Sequence, residues 1–265
     1  MIVIVEGGCR VSDMHYGEPL VEGTLRVWKQ IGRATGAQAI SLRGMEFAPG
    51  LSPRIRNNAC DEILYVLNTC DDRDEVSTTR GSESVNLLID GQSYAVGADT
   101  GIYIRPHQTF AIENPGPEVI AIISSQCPDP DRAPRSVGPM TASSDPTLNP
   151  VPIVRLADQR AQSTADRWYR VLVDDEIGSA QVTQFVGSIP PGRAPDHFHH
   201  YEEVLFILKG EGRMWAGETN TPIARGSCIY LPKGQVHCVE NTGEGELRLL
   251  GVFYPAGSPS VRYEA

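Results

Sequence analysis

Four side chains in the last third of the chain could carry chemistry: His197, His199, Glu203 and His237. In an extended strand residues two apart face the same side, so His197 and His199 project together. Glu203 opens a run whose inward set is Glu203, Leu205 and Ile207, and His237 follows a Pro-Lys-Gly turn that can bring it opposite on a neighbouring strand. Three neutral imidazoles and one carboxylate form a borderline N/O donor set suited to Fe(II), Mn(II), Ni(II), Cu(II) or Zn(II). Four protein ligands leave one or two octahedral positions open for substrate or O2. Four of the chain's 6 histidines fall between 197 and 237. Burying a carboxylate among imidazoles without a cation is costly, so the pattern implies a metal. His200 and Glu202 have the opposite parity or lie in the intervening turn and are expected outside the ligand set. Cys238 also has the opposite parity to His237 and is not read as a nucleophile. No acid, base or nucleophile stands out besides the ligands.

The elements that must position these residues are strands. Gly and Pro total 26 + 20 = 46 and punctuate short apolar or alternating runs along the whole chain, which indicates an all-β sandwich or barrel. Helical periodicity is confined to one or two turns at 155–165. The chain also repeats itself, which decides the architecture. Residues 36–50 run parallel to 178–192, 61–67 to 202–208, 101–106 to 227–232, and 113–116 to 240–243. Four blocks in one order describe two copies of one β-domain. The expected division is 1–126 for the first copy, 127–154 for a Pro-rich linker and 155–265 for the second copy. Residues 71–84 are a polar insertion in the first copy, read as a solvated loop.

The first copy lacks the donor set. Aligned through Glu62 and Glu203, the places of His197 and His199 hold Arg56 and Asn58, and that of His237 holds Phe110. Arg is no ligand and Phe has no lone pair. An Arg56–Glu62 ion pair is the expected substitute for a metal there, in a barrel kept for packing, dimerisation or lid formation.

Two stretches resemble the paired signature motifs of the cupin superfamily. The first runs from Gly192 through His197-Phe-His199-His-Tyr-Glu-Glu203 to Gly210, the second from Gly226 through Pro232, Gly234 and His237 to Asn241. The second agrees at every signature position. The first has four residues between its Gly and first His where the signature has five. The resemblance covers both repeats and implies a bicupin, two tandem double-stranded β-helix (jelly-roll) barrels with a metal in the C-terminal one, Fe(II) being favoured. It implies an enzyme acting on a small organic molecule, first a mononuclear dioxygenase of a chelating enol, diketone or aromatic substrate. The alternatives it leaves are an isomerase, a decarboxylase or lyase, a hydrolase of the ureidoglycine aminohydrolase architecture, and a non-catalytic small-molecule binder. Gln184, Phe206, Arg213, Trp215, Tyr230 and Arg248 are the candidates for the substrate pocket, an inward Arg favouring a carboxylate or enolate. Phe198 and Phe253 are further aromatic candidates.

Composition bounds the partners. With 23 Lys+Arg against 33 Asp+Glu the formal charge is −10, which argues against nucleic acid or an anionic membrane surface. The apolar start, residues 1–5, is too short for a spanning helix or a signal core, so a cytoplasmic location is expected. Six cysteines without a C-x-x-C pair read as reduced thiols. Residues 1–5 and 25–29 could join a neighbouring sheet edge, and a homodimer is expected from that.

Overall fold

The computed structural model describes residues 1–265 except 58, 68–83, 133, 134, 139–149, 165, 262 and 265. The insertion at 71–84, all but its last residue, therefore lies outside the described residues, as do Asn58, Cys70 and much of the linker. What is described is nearly all antiparallel strand, in two copies of a two-sheet barrel. In the first copy a seven-stranded sheet runs in the order Ile153–Arg155, Thr100–Ile104, Asp61–Val66, Ile120–Cys127, Leu42–Phe47, Leu25–Ile31, Leu20–Glu22. A six-stranded sheet built around Val85–Ile89 and Thr109–Asn114 closes over it. In the second copy an eight-stranded sheet centres on Ser227–Leu231, Glu202–Lys209, Leu247–Tyr254 and Thr183–Ile189. Its six-stranded partner carries Glu211–Ala216, His237–Asn241 and His197–Phe198. At 155–165, where helix was expected, the chain makes a 3-10 turn at Leu156–Asp158 and then the strand Gln162–Thr164. Among the described residues no helix is long and apolar enough to cross a membrane.

Side-chain alternation sorts the apolar residues into three layers. Leu64, Val66, Met45 and Phe47 fill the first barrel. Leu205, Ile207, Phe185 and Leu249 fill the second. The opposite faces of the same strands, Ile63 and Tyr65 from one copy and Val204 and Phe206 from the other, meet in a third core between the barrels. The two large sheets are thus buried on both faces, which is why their strands read as continuous apolar runs. A fully buried aliphatic side chain contributes about 1.5–3 kcal/mol. Exposing even five of them would cost on the order of 10 kcal/mol, comparable to a domain's whole stability. The barrels therefore stand or fall together.

The pairing also shifts one repeat block. Tyr103 lies opposite Ile63 and Tyr230 opposite Val204, so Tyr103 corresponds to Tyr230. Matching 101–106 to 227–232 is out of register by one residue, and a slip of one exchanges the two faces of a strand.

Strands cross between the copies at both ends. Ile153–Arg155 pairs with Thr100–Ile104 of the first barrel. Ile2–Ile4 pairs with Arg10–Asp13, which pairs with Ser227–Leu231 of the second barrel. The apolar start expected to seek a neighbouring molecule's edge covers an edge of its own chain. Glu202, expected at the surface or beside the ligands, is buried between the barrels. Its carboxylate accepts the backbone N–H groups of Gln38 at 2.8 Å and Ala39 at 2.7 Å and the Tyr230 hydroxyl at 2.5 Å.

The first barrel replaces the missing donors in a way the sequence reading misassigned. Arg56 is exposed on its strand and does not reach Glu62. Arg43 does, its Nη2 lying 2.5 Å from Glu62 Oε1 with both side chains buried. Ser124 and Gln126 donate to the same carboxylate at 2.8 and 3.1 Å. Arg43 shares its strand face with Met45 and Phe47 and so points inward. Phe110 is buried in the barrel core.

Candidate metal centre

His197 and His237 are direct cross-strand neighbours, and His199 follows two residues on, on the same face. Their ring centroids are 4.6 Å (His197–His237), 4.9 Å (His197–His199) and 5.2 Å (His199–His237) apart. One nitrogen of each lies within 4.8 Å of the others. A metal roughly 2.0–2.2 Å from each nitrogen holds neighbouring donors about 3–3.6 Å apart, so rings gathered this closely on one face can turn inward onto a single ion.

Carbonyls orient two of the rings. His237 Nδ1 donates to Gln235 O at 2.8 Å and His197 Nδ1 to Pro195 O at 3.0 Å. A carbonyl only accepts, so both Nδ1 atoms carry the proton and each Nε2 offers its lone pair. His199 is stacked on Tyr201 at 4.6 Å, and Tyr201 in turn on Phe253 at 4.5 Å. Burial holds His237 down to about 4, with the neighbouring His197 adding to the shift, so this ring is neutral at pH 7.

Glu203 lies against the His199 ring, its Oε2 3.4 Å from Nε2. It is 5% exposed, and burial pushes its carboxyl up to about 8. The chemistry of this donor set fits a divalent cation: neutral imidazoles with lone pairs converging, beside a carboxyl whose ionisation a bound cation would favour. His197, His199 and His237 would hold the ion, with Glu203 in reach of a fourth position.

A cavity of about 120 Å³ lies over the trio, walled by Tyr169, Phe185, Tyr201, Leu249 and Pro259, with Arg167 also on its wall. None of the six residues expected to line it does so. Gln184, Phe206 and Tyr230 occupy the opposite faces of their strands and lie between the barrels; Gln184 donates to Leu64 O, and Phe206 and Tyr230 belong to the core there. Arg248 is turned from its neighbour Leu249, which lines the cavity, and contacts Glu246. Arg213 is exposed and donates to Asn220. Trp215 lies under Arg193 at 4.1 Å and donates to Glu240. Phe253 is in the barrel core behind Tyr201. Cys238 turns away from the cavity, its Sγ accepting from Arg193 Nε, and it and Cys228 are unbridged. Arg167 and Tyr169 were missed because their strand carries no motif, and Tyr201, inside the signature stretch, because it lies in the turn between His197–Phe198 and Glu202–Lys209, where alternation assigns no face.

Comparison with known proteins agrees with this geometry. The cupin domain family model matches residues 185–253. Auxin-binding protein 1 of Arabidopsis thaliana is 31% identical over 120 residues, 40% of this chain and 61% of that protein. This chain therefore aligns with under two thirds of that relative's length. An uncharacterized protein of Aquifex aeolicus (strain VF5) is 34% identical over 86 residues, 31% of this chain and 69% of that protein. Among solved structures, a mutant of Bacillus subtilis oxalate decarboxylase superposes with a TM-score of 0.73 at 13% identity, over 93% of this chain and 77% of that one. That likeness is one of fold. With the doubled barrel, the signature residues and these matches in agreement, the chain belongs to the cupin superfamily, as a bicupin whose histidine motif is intact in its C-terminal barrel alone.

Proposed function

We propose that the chain is a metal-dependent enzyme acting on a small chelating organic molecule in its C-terminal barrel. The observation that carries this reading is the convergence of His197, His199 and His237 at the floor of a walled cavity, with Glu203 beside them. A divalent ion held there, Fe(II) or Mn(II), supplies Lewis acidity and open positions for an oxygen-donor ligand. Tyr169, Phe185 and Leu249 exclude bulk water from the wall, which strengthens every charge interaction inside. The Arg167 guanidinium on the same wall draws a carboxylate or enolate oxygen into place by a charge-assisted hydrogen bond. The reaction is dioxygenation of an enol, diketone or aromatic substrate.

A second reading, decarboxylation of a small carboxylate, is favoured by Arg167 and by the limited cavity, and the fold neighbour is by its name an oxalate decarboxylase. One experiment tests both. The metal content of purified protein and of His199→Ala is measured, and metal-loaded protein is given enols, diketones, catechols and small dicarboxylates while O2 uptake and CO2 release are followed. O2 consumption in step with product supports dioxygenation; CO2 release without net O2 uptake replaces it with decarboxylation. Equal metal content in wild type and His199→Ala overturns the metal centre itself.

A further inference from the structure

We infer that the N-terminal arm, residues 1–13, is a positioning element of the metal centre in the opposite barrel, acting through Gly7 and Gln235 on His237. The inference rests on the reading of the three histidines as metal ligands. His237 takes its orientation from the Gln235 carbonyl, at the end of the 232–236 loop. The same loop holds a second ligand: the Gly234 N–H donates to His199 O at 2.8 Å. Whatever fixes this loop fixes two of the three imidazoles.

The arm is what packs on it. Val5, Cys9 and Val11 are buried in the core of the second barrel, so the arm is part of that barrel. Between its strands the chain turns at Glu6–Gly8, where Gly7 has φ +67° and Gly8 +85°. The turn is tied down on its far side, Glu6 N–H donating to Thr219 Oγ1 at 2.9 Å and Glu6 Oε2 accepting from Glu218 N–H at 3.2 Å. Gly217 N–H in turn donates to Val236 O at 3.3 Å. On its near side Gly7 meets the Gln235 side chain so closely that a Cβ there would lie 1.4 Å from Oε1 and 2.1 Å from Cδ. Gly7 takes the left-handed backbone without strain, and any side chain placed there would have to push the Gln235 amide aside. The Gln235 amide held against it donates to Val236 O at 3.0 Å, the carbonyl one residue before His237. The path runs from the arm to the Gln235 amide to the backbone of residues 235–236, whose Gln235 carbonyl accepts from the imidazole.

Such outer partners of a metal-ligating His typically alter metal affinity about 10- to 100-fold when changed. The test measures Zn(II) affinity by competition with a chromophoric chelator, together with the melting temperature of the metal-free full chain. Gly7→Ala is compared with Gly17→Ala, which shares a positive φ (+89°) but has nothing within 4 Å of its Cβ. Both variants are expected to lose thermal stability from backbone strain; Gly7→Ala alone is expected to lose Zn(II) affinity, by about tenfold or more. Adding Gln235→Ala to Gly7→Ala removes the atoms the new methyl strikes and is expected to restore part of that affinity. Equal Zn(II) affinity in Gly7→Ala and Gly17→Ala overturns the inference. If Gly7→Ala does not fold, Gln235→Ala alone decides, and an unchanged affinity overturns it. Equal affinity in wild type and His237→Ala is a different result: it removes the metal reading, and the arm's role with it.

Discussion

Replacing Arg43 with methionine would leave the Glu62 carboxylate in the first barrel with no cation. The two side chains are 3% and 0% exposed, and breaking such a pair costs about 3–5 kcal/mol, because one uncompensated charge stays in the interior. The contact here is end-on: Nη2 alone reaches Glu62, while Nε and Nη1 have no hydrogen-bond partner among the described residues. Ser124 and Gln126 would still donate to the carboxylate. Both facts place Arg43→Met in the lower half of the range, about 3–4 kcal/mol, or about 6–16 °C in melting temperature for a chain of this size. The double variant Arg43→Met/Glu62→Gln removes the stranded charge and keeps an amide for Ser124 and Gln126. It is expected to recover at least half of the loss. Urea and thermal unfolding of the three proteins, with Zn(II) titration as a check on the second barrel, measure this directly. If the double variant is no more stable than Arg43→Met, then the guanidinium acts through its volume and the account of Arg43 as a built-in substitute for the metal is wrong.

Three further outcomes follow from the contacts described. Glu202→Gln turns a carboxylate that accepts three hydrogen bonds into an amide with one acceptor oxygen; it should lower stability by about 2–4 kcal/mol in urea unfolding. Gly251→Ala places a Cβ 2.3 Å from Phe185 Cε1; forcing that ring toward the cavity should cost about 1–3 kcal/mol, read as a lower melting temperature with metal stoichiometry unchanged. Arg167→Met should leave metal affinity unchanged while weakening binding of a small carboxylate by about 10- to 100-fold, since a hydrogen bond to a charged group is worth about 1.5–3 kcal/mol. Calorimetric titration of the metal-loaded protein checks it, and equal carboxylate affinity in the two proteins removes Arg167 from the site.

The parts of the molecule legible in the sequence share a cause. His197 and His199 were placed together by the alternation of a strand, and the doubled barrel by blocks that recur in order; both are local patterns. Arg43 stood in one of those blocks, between Leu42 and Gly44 and in step with Met45 and Phe47. Its alternation already marked an inward charge, which the comparison with Arg56 obscured. The substrate-pocket residues failed for a different reason. The strand Glu202–Lys209 is buried on both faces, so Leu205 in the barrel and Phe206 between the barrels look alike as residues, although Glu203 had set the parity that separates them. The same ambiguity hid the one-residue shift between Tyr103 and Tyr230.

By itself the sequence determined which atoms can bind a metal and which copy holds them, because donor chemistry belongs to residue types and strand alternation is a property of neighbours two apart. Only the tertiary structure decided what surrounds them. Arg167 and Tyr169 reach the cavity, Arg43 reaches Glu62 and the arm reaches Gln235 through contacts between distant segments. Backbone hydrogen bonds between strands are nearly blind to side-chain identity, so no run of residues announces that strand Arg10–Asp13 will pair with Ser227–Leu231 across more than two hundred positions. That pairing was settled by which edge lay uncovered and which apolar face, Val5, Cys9 and Val11, could complete the core beneath it.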